Sequence, residues 1–191
     1  MQVKNETVRG HLQTQQITYI ALFVALIAVG AFIKIPIPVV PFTLQFLFTM
    51  LAGLLLGSKN GAISVAVYIL LGLAGVPIFA EGGGLWYIIK PSFGYLIGFC
   101  AASYVVGWLM EKEKQVSIKK ILHYNFIGLF IVYGMGMVYY YVICNYVINT
   151  PIALWPLFLY CFLLAVPGDI CLCILAALLT KRIGLLINRG R

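Results

Sequence analysis

Apolar residues run in long blocks along the chain, over residues 17–33, 43–57, 61–75, 92–110, 126–148 and 154–179, and each block ends where glycine, proline or charged residues gather. The hydrocarbon core of a bilayer is about 30 Å thick and takes about 20 apolar residues of helix to cross. The pattern therefore predicts an all-α integral membrane protein, a bundle of six transmembrane helices forming one domain over residues 1–191. The second and third blocks are short for a crossing. They are expected either to stand with little tilt or to sit where other elements replace lipid. The first fourteen residues are polar and precede a block of span length. That order predicts a retained helix behind a short tail, not a cleavable signal peptide.

Basic residues between the blocks predict the orientation. Of the thirteen Lys and Arg, all but Lys34 and Lys90 fall in the N-terminal tail, the second and fourth connections, or the C-terminal stretch. The positive-inside rule then puts both termini in the cytoplasm, with residues 1–14 and 183–191 as cytoplasmic tails, and requires an even number of crossings. The outer connections differ in kind from the inner ones. KIPIPVVP (34–41) carries three prolines, and VPIFAEGGGLWYIIKP (76–91) carries three consecutive glycines, aromatics, one acid and one base. Proline stops helix propagation and glycine admits close backbone approach. Such loops are expected to fold back and cover a cavity, the alternative being that they only cap the bundle.

The composition excludes several functions. The chain is 63% hydrophobic and 9% charged, against roughly half apolar and about a quarter charged in a soluble domain, so no separate soluble catalytic domain fits. The net charge of +8 collects in short connections, which reads as topology and not as a nucleic-acid face. Cys100, Cys144, Cys161, Cys171 and Cys173 lie in apolar blocks without a C-x-x-C pair, and no disulfide framework or zinc site is expected. No G-x-x-x-x-G-K-[ST] phosphate loop occurs. His11 and His123 belong to cytoplasmic segments and cannot form a dyad or a metal site with an acid at membrane depth.

Of the five acids, Glu6, Glu111 and Glu113 are cytoplasmic, which leaves Glu81 in the long outer loop and Asp169 inside the last block. A charged residue near mid-membrane costs at least about 2.5–3.5 kcal/mol on insertion scales and generally faces an interior site. Asp169 follows Pro167 and Gly168, which can interrupt the helix and free backbone groups toward a cavity. The alternative is that Asp169 fastens a neighbouring helix.

A lone carboxylate supports recognition of a small, mostly uncharged molecule with hydrogen-bonding groups, and not catalysis. Asp169 would accept from ligand N–H groups, and Lys90 would pair with a ligand carboxylate. Trp86, Tyr87 and Tyr95 would wall the apolar part, with Glu81 and Gly83 of the same outer loop beside them; membrane anchoring is the other reading of Trp86 and Lys90. Gln45 and Asn145 are polar groups in apolar blocks, either ligand contacts or helix glue. Small residues recur four apart at Ala21/Ala25, Gly53/Gly57 and Gly94/Gly98. Intramolecular packing is the default for these, although Ala21 and Ala25 also allow another membrane protein to dock.

The stretch PVVPFTLQFLFTMLAGLLLGSKNGAISVAVYILLGLAGVPIFAEGGGLWYIIKPSFGYLIGF (38–99) and the later AVPGDICLCILAALL (165–179) closely resemble the BioY family, the biotin-specific substrate-binding subunits of energy-coupling-factor (ECF) vitamin transporters. The resemblance implies six helices, a biotin pocket open to the outside, and no cofactor of its own. It also implies partners within the lipid bilayer: a transmembrane coupling subunit of the EcfT type, and two ABC ATPase subunits that alone use ATP. The P-G-D aspartate corresponds to Asp169, the G-Y-L-x-G-F tyrosine to Tyr95 and the T-L-Q glutamine to Gln45, while Ala21 and Ala25 fit the small-residue pattern used against the coupling subunit. The chain departs where many relatives have a lysine three residues after that aspartate, here Leu172, and a glycine where this chain has Lys90. A self-sufficient proton-driven carrier and a ligand-free scaffold subunit are the rival readings.

Overall fold

The structure is a computed structural model; it describes residues 2–35, 42–113 and 116–189, with side chains between Gln13 and Ile183. Most of the proline-rich connection expected at 34–41 lies outside the described residues. The chain forms α1 (Gln2–Phe32), a short antiparallel pair β1 (Lys34–Ile35) and β2 (Phe42–Thr43), α2 (Gln45–Leu73), α3 (Phe93–Glu111), α4 (Ile118–Val142), α5 (Leu154–Phe158) and α6 (Val166–Arg189). Among the described residues, five helical stretches are long and apolar enough to cross a bilayer: Gln13–Phe32, Gln45–Leu73, Phe93–Glu111, Ile118–Val147 and Leu154–Ile183.

The second stretch is not one straight rod. Gly57 leaves helical geometry at φ 84° and ψ 178°. The Gln45 side-chain amide donates to the Tyr68 hydroxyl at 2.8 Å across 23 residues, a separation of about 34 Å in a continuous helix. A methyl placed on Gly61 would stand 2.8 Å from the Gly53 Cα. The chain therefore reverses at Gly57 into a hairpin with arms 45–56 and 58–73, about 18 and 24 Å long. The positive φ favours glycine there, and the Glu111 carboxylate fills the space a Cβ would take. That carboxylate accepts from the Ser58 backbone N–H at 2.7 Å and from the Ser58 hydroxyl. It thus satisfies one of the orphan donors at the start of the second arm and complements its dipole. Sequence placed a polar connection at 58–60; the turn needs only Gly57 because an acid from α3 supplies the cap.

Close backbone approach builds the rest. Gly53, Gly61 and Ser103 meet where both hairpin arms touch α3, and a methyl on Gly98 would come within 2.9 Å of the Val132 Cα on α4. These contacts are the intramolecular packing expected for the small residues. Ala21 and Ala25 instead lie on the exposed side of α1, while Phe23, Ile27 and Ala31 turn into the core. Asn125, fully buried, donates to the Cys173 carbonyl at 2.9 Å and ties α4 to α6.

Three boundaries differ from expectation. Helix runs from Gln2 and continues to Arg189, so the described parts of the segments read as tails, 2–14 and 183–189, are helical extensions of α1 and α6. α4 begins at Ile118, ahead of the expected 126, because Lys119 and Lys120 are good helix formers. Widened π turns follow α4 at Ile143–Val147 and α5 at Leu159–Leu163. The interruption expected at Pro167 and Gly168 falls just upstream instead: Pro167 sits in the first turn of α6, where a missing N–H is tolerated.

Candidate ligand chamber

At the end of the bundle that carries Lys34 and Lys90, the helix ends enclose a chamber with about 640 Å³ of empty space, counting its open mouth. Gln45 and Phe46 face it from α2, Tyr95, Leu96 and Phe99 from α3, and Val132 and Tyr133 from α4. Cys161, Ala165 and Asp169 close the remaining wall, and Phe42, Thr43, Ala80, Tyr87 and Ser92 cover it.

Asp169 is 7% exposed in the first turn of α6. One of its oxygens, Oδ2, accepts from the Tyr133 hydroxyl at 2.5 Å, and no described cation pairs with it. A buried carboxylate needs hydrogen-bond donors on its remaining lone pairs or it is strongly destabilised. Tyr133 is itself held by edge-on contacts, with ring centroids 5.9 Å from Tyr95 and 5.4 Å from Phe162. The Tyr95 hydroxyl donates to the Cys161 carbonyl at 3.4 Å, and the absence of a side chain on Gly136 makes room for the Tyr95 ring.

Gln45 begins a second polar chain. Its amide nitrogen donates to Tyr68, whose hydroxyl donates in turn to the Ile78 carbonyl at 2.8 Å, while the Thr43 hydroxyl approaches the Gln45 amide oxygen at 3.4 Å. The chamber wall is thereby joined to the loop between α2 and α3. That loop folds back, as its glycines suggested. Phe79 pairs with Gly82, the Gly84 N–H donates to the Gly72 carbonyl at 2.7 Å, and a methyl on Gly83 would run into the Val76 carbonyl. Tyr87 is buried against Phe79 with centroids 4.4 Å apart, and this burial pushes its phenol above the ordinary tyrosine range.

Of the residues singled out from sequence, Asp169, Gln45, Tyr95 and Tyr87 converge on the chamber. Glu81, Gly83, Trp86 and Lys90 belong to the covering loop without lining it. Lys90 pairs with Glu81 at 3.0 Å and lies 5.0 Å from the centre of the Tyr87 ring, and Trp86 is 82% exposed. Asn145 lies elsewhere: its amide bridges the Tyr141 and Ile152 carbonyls and closes the turn after α4. Sequence reasoning passed over Tyr133, Cys161 and Ser92. Tyr133 is one of twelve tyrosines, and its only local signal is Gly134 and Gly136 close by, small residues that let a facing helix approach.

A family model, "BioY family", matches residues 2–189. The chain is 46% identical over 170 residues to a protein of Lysinibacillus sphaericus named "Probable biotin transporter BioY", covering 89% of this chain and 87% of that one. It is 43% identical over 124 residues to the "Biotin transporter BioY" of Thermotoga maritima, covering 64% and 72%. Among solved structures, an S-component for biotin from an ECF-type ABC transporter superposes with a TM-score of 0.77 at 28% identity, over 91% of this chain and 92% of that one.

Proposed function

The chain belongs to the BioY family, and from that premise we propose that it is the biotin-binding S component of an ECF-type vitamin importer, a multi-pass membrane protein and not an enzyme. The observation that carries the ligand assignment is the roofed chamber whose one buried acid lacks a cation partner. Biotin is uncharged at its ureido end, where N–H donors flank a carbonyl, and its ring and valerate chain are apolar. Asp169 accepts a ureido N–H, Gln45 offers a further amide hydrogen, and Tyr95, Phe46 and Phe99 wall the ring. Asp169 needs no titration in this role, which separates the reading from a proton-driven carrier.

The reversal at Gly57 supports counting the two arms of α2 as separate crossings, which gives six. With six, both termini share a side, and the Lys/Arg distribution makes that side the cytoplasm. The chamber then opens outward. Biotin is delivered inward by a rearrangement driven by ATP hydrolysis on two ABC ATPase partners, through a transmembrane coupling subunit of the EcfT type that meets the exposed Ala21 and Ala25 face of α1. Mass analysis of small molecules released on denaturing the purified protein is expected to show biotin; a ligand-free preparation that gains no thermal stability from added biotin would favour a scaffold role.

The carboxylate end of biotin projects toward the mouth, where Lys90 stands beside Glu81 and Lys34 donates to the Ala80 carbonyl. Lys90→Ala is expected to weaken binding of biotin severalfold while leaving biotin amide unaffected, as read by titration calorimetry. An exposed charge contributes about 0–1 kcal/mol, which sets that modest scale. Equal affinity for biotin before and after the substitution would refute a ligand contact at Lys90.

A further inference from the structure

We propose that Tyr133 is the positioning residue of the chamber, fixing the Asp169 carboxylate so that one oxygen is spent within the protein and the other is presented to the ligand's N–H group. The inference rests on the biotin-binding reading above and assigns a residue that the P-G-D segment does not contain. A phenol has a single hydrogen to donate, and in Tyr133 it goes to Asp169 Oδ2. That bond is charge-assisted, the stronger class of hydrogen bond.

The ring that makes it has little freedom. Tyr95 and Phe162 stand edge-on against it at 89° and 80°, and Tyr133 is 3% exposed. The carboxylate has no second anchor of comparable kind. The position one turn further along α6, which faces the same side as Asp169, is Leu172, buried and apolar. With one oxygen occupied and no described cation paired with it, a ligand is required to bring a donor of its own, and a molecule of the same shape without an N–H leaves a buried acceptor unmet. Discrimination of that kind is much steeper than rejection by shape.

Titration calorimetry on the full-length chain in detergent, with biotin as the probe, tests the assignment through Tyr133→Phe, Asp169→Asn and the double variant. Tyr133→Phe keeps both ring contacts and is expected to lower affinity about tenfold. In the Asp169→Asn background the same change is expected to lower it less than about twofold, because the tyrosine acts only through the acid. Desthiobiotin, which retains the ureido group, is expected to lose the same factor as biotin. Wild-type affinity in Tyr133→Phe overturns the proposal, and so do two losses that multiply in the double variant, since that marks a role independent of the acid. Failure of the unaltered protein to bind biotin would instead remove the functional reading itself.

Discussion

Asp169→Asn is expected to weaken biotin binding by about 1.5–3 kcal/mol, roughly ten- to over a hundredfold, measured by titration calorimetry on detergent-purified protein. The substitution keeps volume and shape but replaces a charged acceptor with a neutral amide, half of which is a donor. Tyr133 donates to Oδ2 in the native site. An asparagine that keeps its oxygen on Tyr133 must point its NH₂ at the ligand, donor against donor. Turning the amide over presents that NH₂ to the Tyr133 hydroxyl instead. Neither orientation reproduces the native pair of acceptors, so the loss exceeds that of one neutral hydrogen bond. Affinity within twofold of the unaltered protein would show that the acid faces no ligand.

The largest effect on stability is expected at Gly53. A methyl there would lie on the Ser103 carbonyl oxygen, with the Ser103 Cα 3.2 Å away. The obstacle is backbone, which cannot rotate aside as a side chain does. Gly53→Ala is expected to lose about 3 kcal/mol, the upper end of overpacking penalties, and Gly53→Val to prevent recovery of a monodisperse protein. Gly134→Ala is the matched control, because nothing stands within 4 Å of its Cβ position. Removing a helical glycine there is expected to leave stability unchanged or raise it by about 0.5–1 kcal/mol. Thermal unfolding in detergent, followed by size-exclusion chromatography, separates the outcomes; equal melting temperatures for the two alanine variants would mean that the hairpin and α3 are not in backbone contact.

The apolar blocks made the helices legible, since period and length alone identify segments that can cross a membrane. Gly57 was visible as the end of a block and as one of a pair of small residues; that it reverses the chain depends on Glu111, which is 54 positions distant and was read as one more charge in a cytoplasmic connection. Asp169 stood out in sequence because an acid in a long apolar run has few explanations. Tyr133 did not, because a tyrosine in such a run is ordinary and its partner lies 36 residues away. Asn145 stayed open between two readings for the converse reason: polarity in an apolar block signals a hydrogen bond without saying with what, and here the partners are carbonyls of its own turn. Lys90 and Glu81 were each legible as charges of the outer loop, but their mutual pairing is a property of how that loop folds.

The Glu111 clamp also governs how the chamber can be breached. It fastens the hairpin turn to the end of α3 at the pole remote from Asp169, and Gly107 brings the two backbones together beside it. Gln45 and Tyr95, on the neighbouring α2 and α3, therefore belong to elements that share one fulcrum. The roof is tied to the wall through the Tyr68 bond to the Ile78 carbonyl and the Gly84 bond to the Gly72 carbonyl, whereas at its rim Lys34 grips a single carbonyl and the Lys90–Glu81 pair is open to solvent, an arrangement worth about 0–1 kcal/mol. A tug on either hairpin arm is thus passed to α3 through that base, and around the mouth the two lysine seams are the slightest of the fastenings.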